Sequence, residues 1–490
     1  MSTNELVQHI ITQMTASITT EMDELLSTHA TLYLIEAAAH RIMEQVGHEF
    51  AQGVVTAKGS GLEGPTHSCA CGGKATYVDQ NHPLTYQTSV GHLRSAQRAR
   101  YHCADCGAAS YPLDHDLDVG HSGRMSRYLQ ERCAWLASKM PMEEASQTLE
   151  KFHWPAASAS QVQRHAEDLG HEVDQRLEQR CQEIAQEELA HPLPTPVARP
   201  PTHDREYAGI DGFMYCTRTH DPETHQCQWR EMKTAVVYEA APGLEEAQWE
   251  DHWARTRIRG YLADAQVAPM DQAEHLSYVM TTGPWEELGP RLHAELWERG
   301  ARRQVRDIAV VADGAPVIDE VVQQAVAMPG VQVTRILDYP HAVQHLWAVA
   351  RVAFPQDRDR LEWLIEAQSY LEGGQVEFIV AAIQRLRPTS DLAQEESDEE
   401  SELVQKIRTT AQYFLTRFRQ IDYPEFVRHG YQIGSGLAES ACKRFGTDRL
   451  KGTGMRWTVA GAQRIATLRA MALSDRWDEV VHLCSERPAA

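Results

Sequence analysis

Long apolar stretches are missing from this chain. No run approaches about 18 consecutive apolar residues, so no helical membrane span is expected, and the N-terminus has no basic stretch leading into an apolar core. Cysteine is sparse too. Ten in 490 residues, four of them clustered, fit a reduced, cytoplasmic compartment with one metal site better than a disulfide framework. Basic residues run short, 47 Lys and Arg against 69 Asp and Glu, and the net charge of −22 argues against a chain that coats nucleic acid indiscriminately. Local basic surfaces remain open.

What is present is ordinary globular material in quantity. The hydrophobic fraction is 42%, and the length suggests about three domains. Residues 1–60 read as a helical region, with Leu25, Leu26, Leu32, Leu34, Ile35 and Ile42 as an oligomerisation or packing face. In residues 61–118, HSCACGG and YHCADCGA resemble the two knuckles of a zinc ribbon, with Cys69, Cys71, Cys103 and Cys106 as thiolate ligands. The first pair is one residue closer than usual, which leaves His67 as an alternative ligand. Residues 119–190 read as helices broken at Pro141 and Trp154-Pro155. The last two resemble a helix-turn-helix, capped by Ser158 or Ser160. Gln161, Gln163, Arg164 and His165 are expected to be exposed and able to reach base edges, an ordinary helical hairpin being the alternative. Five prolines in residues 191–204 mark a linker.

The rest of the chain carries isolated acids in strand-like settings. EYAGIDGFMYCTR places Asp211 after an apolar run, where Asp-Gly is first a turn signal, and DIAVVADGAP repeats the pattern at Asp313. A third acid, Glu439, opens a helix-compatible run in YQIGSGLAESACKRFG. Carboxylates from two strands and a helix can hold a pair of Mg²⁺ or Mn²⁺ ions roughly 4 Å apart, which suits phosphodiester cleavage. VQVTRILDYPHAVQHLW adds Asp338, His341 and His345, with a helix cap and a hydrogen-bonded histidine as the alternative reading. Between residues 443 and 469 seven Lys and Arg stand against one acid; Lys443, Arg444, Arg449, Lys451 and Arg456 read as phosphate contacts, with a solvated helix face as the alternative, whereas the seven acids of residues 391–402 read as a solvated loop. Trp347 and Trp457 read as packing residues, with stacking on a displaced base as the alternative.

Six ordered motifs, GIDGFM, WREMK, VADGAP, ILDYPHAVQHLW, GSGLAESACK and RLKGTGMRWTVAGAQ, resemble the Kra-type bacterial insertion-sequence transposases, relatives of the Mutator group, over roughly residues 205–480. The resemblance implies a multidomain α/β protein. Its ribonuclease H-like mixed-sheet core would span residues 205–345 and 431–490, interrupted by an all-helical insertion at 346–430 and preceded by the helical, zinc-ribbon-like and helix-turn-helix-like regions. It implies catalysis by Asp211, Asp313 and Glu439, with Asp338 and His341 as the group's Asp-x-x-His motif; two Mg²⁺ or Mn²⁺ ions at the acids and structural Zn²⁺ at the cysteines, read from the residues, are compatible with it. DNA would be bound through Gln161, Arg164 and the basic segment, in a nucleoid-associated homodimer or higher assembly. A nuclease that cuts without joining, an inactive DNA-binding regulator and a glycosidase are the alternatives.

Overall fold

The computed structural model describes residues 3–118, 124–152, 154, 157–190, 205–220, 223–224, 226–240, 273–301, 307–326, 331–386 and 402–485. The proline-rich segment 191–204, the tryptophan-bearing stretch after Ala240 and the acidic run up to residue 401 lie outside these. No described helix is long and apolar enough to cross a membrane. The chain forms two compact units, residues 1–172 with 478–490, and residues 173–477.

The first unit opens on a helical hairpin, Thr3–Ser27 and Leu32–Ala57, with the Thr31 side chain capping the second helix and Arg41 bridging back to Glu21 at 2.8 Å. Six short strands follow: β1 (Thr66–Ser68), β2 (Lys74–Asp79), β3 (Leu84–Thr88), β4 (Gly91–Ser95), β5 (Arg100–Cys103) and β6 (Ala109–Ser110). They form the sheet β1-β2-β5-β6 and a separate β3-β4 hairpin. Helices Arg127–Lys139 and Met142–Lys151 and the start of the helix Ala159–Ala190, up to residue 172, follow in this unit, Pro141 standing at the N-cap of the second where its missing N–H costs nothing. Ser158 caps the third in a reciprocal box. Its hydroxyl accepts from the Gln161 N–H, and the Gln161 side chain accepts from the Ser158 N–H at 3.0 Å.

The second unit is built on a five-stranded sheet, β7 (Arg205–His220), β8 (Cys227–Ala240), β9 (Ala273–Thr281), β10 (Asp307–Ala312) and β11 (Gln332–Leu337), in the order β11-β10-β7-β8-β9. The first three strands run antiparallel as a meander, and β10 and β11 are parallel to β7. Alternation divides the sheet into two faces. Ala208, Ile210, Val237 and Val310 bury one face against Leu292, Trp297, Ile318 and Ile184. The other face carries Tyr207, Gly209 and Asp211 and is covered by the helix Gly436–Phe445. Its approach is close because Gly209 has no side chain: a Cβ there would stand 3.1 Å from that of Ala438, the residue before Glu439. Gly209 therefore sets how near Glu439 comes to Asp211.

That added methyl would meet Ala438 and, at 3.2 Å, Val236, both buried, so Gly209→Ala is expected to lower unfolding free energy by about 1–3 kcal/mol through overpacking. The check is the urea midpoint at unchanged m-value, and an unchanged midpoint would refute the close-approach argument.

Candidate active site

The pairing register lines up the acids. Ala312 lies opposite Ile210 on β7 and Leu337 on β11, so one residue further along Asp211, Asp313 and Asp338 fall at the same level on adjacent strands, with Thr234 beside Asp211 on β8. Asp211 does not end its strand. Its Asp-Gly pair is no turn: β7 continues to His220, and β8 pairs with it without a break from Glu206 to Cys216. The second Asp-Gly is a turn. Gly314 adopts φ of +76°, and the Asp313 carboxylate accepts the Ala315 N–H at 2.9 Å. The Gly314 carbonyl accepts from Arg417 Nε at 2.6 Å and the Asp313 carbonyl from the Tyr413 hydroxyl at 2.8 Å, so the helix Glu402–Thr416 and its C-terminal flank brace this turn.

Asp338 is completely buried and caps the helix Tyr339–Ala353. One carboxylate oxygen accepts the Ser435 N–H at 2.6 Å, and the other accepts from His341 N at 3.1 Å and Nδ1 at 3.0 Å. Nδ1 is occupied in this way, leaving Nε2 as the ring's remaining ligand position. Asp338, His341 and Glu439 each offer an atom within 4.8 Å of the others, a group able to hold a metal ion. Asp211 and Asp313 act on it electrostatically: the hydrogen bond to Asp338 raises the His341 pKa most, with further contributions from both acids. Burial pushes the Asp211 carboxyl above its usual range, and Asp313 adds to the push. Glu439, on the open side, is raised by desolvation and then by Asp338 and Asp211, with His341 opposing. Carboxylates crowded in this way attract divalent cations, and the oxygen-rich donor set suits magnesium or manganese.

Three groups escaped the sequence reading. Cys442 lies one turn after Glu439, donates to Asp211 at 3.2 Å and touches the Thr234 hydroxyl at 3.5 Å. Its spacing of three from Glu439 was the available signal. Ser435 acts through its backbone N–H, and the Tyr413 and Arg417 side chains act on the backbone carbonyls of Asp313 and Gly314; none left a sequence trace. His345 stacks on Tyr413 with ring centroids 3.7 Å apart, and burial drives its pKa down to about 4.

The basic segment divides. Lys443, Arg444, Lys451 and Arg456 are exposed, and Arg444 donates to the Tyr278 hydroxyl at 2.7 Å. Arg449 is not a phosphate contact. It is 1% exposed with its guanidinium 5.0 Å from the Trp457 ring, and burial lowers its pKa to about 10. Trp457 fastens the basic loop to β7 beyond Asp211, its N–H donating to the Cys216 carbonyl at 3.0 Å and its carbonyl accepting the Arg218 N–H at 2.8 Å. The expected base-reading surface also shrinks. His165 is buried, Gln161 is committed to the helix cap and Gln163 to Glu167, leaving Arg164 exposed.

The four cysteines converge. The Sγ atoms of Cys69 and Cys106 lie 3.6 Å apart and those of Cys71 and Cys103 3.7 Å apart, and all four lie within 4.8 Å of one another. A tetrahedron of Zn–S bonds of about 2.3 Å has edges of about 3.8 Å, so the cluster can hold a metal such as zinc. The one-residue spacing works because Gly72, at φ of +86°, turns the chain so that its N–H reaches the Cys69 carbonyl at 2.9 Å. The Cys106 backbone N–H is the largest influence bringing the Cys103 thiol down to about 7. His67 is not a ligand of this group; it pairs with Glu63 and packs on the Tyr101 ring.

No protein-family model matches the chain, and no curated protein matches it significantly.

Titration of the reduced chain with Co²⁺ is expected to produce one equivalent of a thiolate-to-metal charge-transfer band. Cys106→Ser should abolish it, and His67→Ala should leave it intact. Loss of the band in the His67 variant would return the histidine to the ligand set.

Proposed function

We propose that this chain is a DDE transposase of the Kra type, which cleaves the phosphodiester bond at insertion-sequence ends and joins the freed 3′-hydroxyl to target DNA. The observation that carries the reading is the acid row, in which carboxylates from β7, β10, β11 and the helix Gly436–Phe445 share one electrostatic neighbourhood. The strand order supports it. In chain order the sheet reads 5-4-1-2-3 with an antiparallel meander first, the arrangement expected of a ribonuclease H-like core. Helices between β11 and Ser435 occupy the place of the all-helical insertion.

Divalent magnesium or manganese, held by these acids, supplies charge neutralisation and an acidified water. The chain's own groups position the rest. Asp211 is fixed in mid-strand with Cys442 on one oxygen, Asp313 by its turn, and Glu439 by the Gly209–Ala438 contact. His341, oriented by Asp338, presents Nε2 towards a phosphate or a water. In the first step a water oxygen attacks phosphorus and the DNA 3′ oxygen leaves; in the second that 3′-hydroxyl attacks a target phosphodiester and displaces another 3′ oxygen. Lys443, Lys451 and Arg456 contact backbone phosphates. The cysteine cluster takes structural zinc, and Arg164 remains as a DNA contact of the first unit.

Labelled DNA ends incubated in Mg²⁺ should be cut and joined by the wild type. Asp211→Asn, Asp313→Asn and Glu439→Gln should each lose roughly a thousandfold in both steps, and EDTA should silence the wild type. Activity in EDTA, or retained in those variants, would remove the two-ion reading, while cutting without joining would leave a nuclease.

A second copy of the chain is the partner that the N-terminal hairpin fits. At about 100° per residue, Val7, Ile11, Met22 and Leu26 fall on one stripe of the first helix, and Leu32, Met43, Phe50 and Val54 on one stripe of the second; all eight are exposed. Measured from the faces the helices turn to each other, both stripes lie about a quarter-turn round, on the same side of the antiparallel pair. Two such hairpins close a four-helix bundle. Sedimentation should show a dimer at micromolar concentration and a monomer for the double variant Ile11→Glu, Phe50→Glu; a monomeric wild type would sink the pairing.

A further inference from the structure

An open pocket of about 440 Å³ lies between β11 and the segment following the helix Glu402–Thr416. Three of its lining residues are Arg335, Arg417 and Arg419, and none is an acid. Arg335 reaches a carboxylate outside the pocket, Asp319. Arg417 bonds to neutral oxygens, the carbonyls of Gly314 and Tyr413 and the Thr416 hydroxyl, and faces the Tyr413 ring at 4.3 Å. Arg419 lies 5.4 Å from the ring of Phe418, itself 56% exposed. Among the described residues neither Arg417 nor Arg419 has a carboxylate partner. In a chain of net charge −22, two guanidiniums without a carboxylate partner among the described residues, a third shared with Asp319, and an aromatic ring turned to solvent beside them describe a site for an anion with a flat apolar part.

The pocket is joined to the acid row. The Arg417 side chain that lines it also holds the carbonyl of Gly314, the residue after Asp313, and Tyr413 one turn earlier holds the carbonyl of Asp313 itself. Arg417 thus touches both the Asp313 turn and the pocket.

We propose that this pocket binds a nucleotide of a single nucleic-acid strand leaving the acid row, with phosphate against Arg419 and Arg335 and the base stacked on Phe418. The assignment rests on the nucleic-acid reading above. Stacking on an exposed ring is sequence-tolerant, so the pocket guides the strand and does not read it. The guanidiniums supply the salt-dependent part of the affinity.

The test is fluorescence anisotropy with a labelled single strand of about 20 nucleotides in EDTA, where cleavage is off, using the full chain. The arms are an abasic strand of equal length, free dAMP and inorganic phosphate as competitors. Phe418→Ala should weaken the normal strand at least about fivefold and leave the abasic strand unchanged, Phe418→Trp should retain wild-type affinity, and Arg419→Ala should weaken both strands. Free dAMP and phosphate should compete far more weakly than the strand. Unchanged binding in both alanine variants overturns the proposal, as does dAMP competing as well as the strand, which would mark a mononucleotide site. Thermal midpoints guard against misfolding. Cleavage in Mn²⁺ is scored separately: a wild type that loses strand affinity with Phe418→Ala but never cleaves removes the transposase reading alone, and one that cleaves while the variants bind normally removes the pocket alone.

Discussion

Like charges brought together away from water are the constraint on which the second unit turns. Asp211, Asp313, Asp338 and Glu439 would separate if the chain let them, and Asp211 and Glu439 carry the cost as carboxyls that ionise less readily than they do in water. The opposing forces are structural. Parallel pairing of β10 with β7 and β11 fixes three of the acids at one level, and the buried helix cap at Asp338 turns part of the repulsion into hydrogen bonds from Ser435 and His341. A close helix–sheet contact at Gly209 then brings in the fourth. Net folding free energy is only about 5–15 kcal/mol, so such crowding survives where a bound cation or substrate repays it.

The fold was legible where local chemistry and tertiary demand agreed. Apolar runs marked β7, β8, β10 and β11, and prolines marked helix breaks. Asp313-Gly314 behaves as a turn because Gly314 takes a positive φ, and a Cβ there would also meet Arg417 and Leu337. Asp211-Gly212 carries the same two letters and does not turn, since β8 offers a partner for every residue on to Cys216. Local signals cannot see that partner.

Charge was legible only in part. Seven cations in 27 residues suggested a phosphate-facing surface, but the alternation of exposed and buried positions belongs to the tertiary fold, which sends Arg449 under Trp457 and leaves Lys451 outside. In the same way Gln161 is the last residue of a capping box, a role written in Ser158-x-x-Gln161, and its amide is spent on its own helix. The cysteine pair with one residue between reads as irregular until Gly72 is seen to close the turn. The pocket beside Phe418 had no sequence signature, because its arginines come from segments some 80 residues apart, Arg335 and Arg417.

Burial separates the acids by what their loss would do. Asp338 is enclosed, caps a helix and receives a backbone N–H from the segment leading to Glu439, so its replacement would undo the fold along with any chemistry. Glu439 faces outward, and Asp313 is held mainly through its own turn. In a lineage released from selection for activity, Asp313 and Glu439 would drift first while Asp338 persisted, because selection for a soluble, folded chain still acts on it. A decayed descendant of this protein would thus keep the acid that builds the site and lose the ones that the fold can spare.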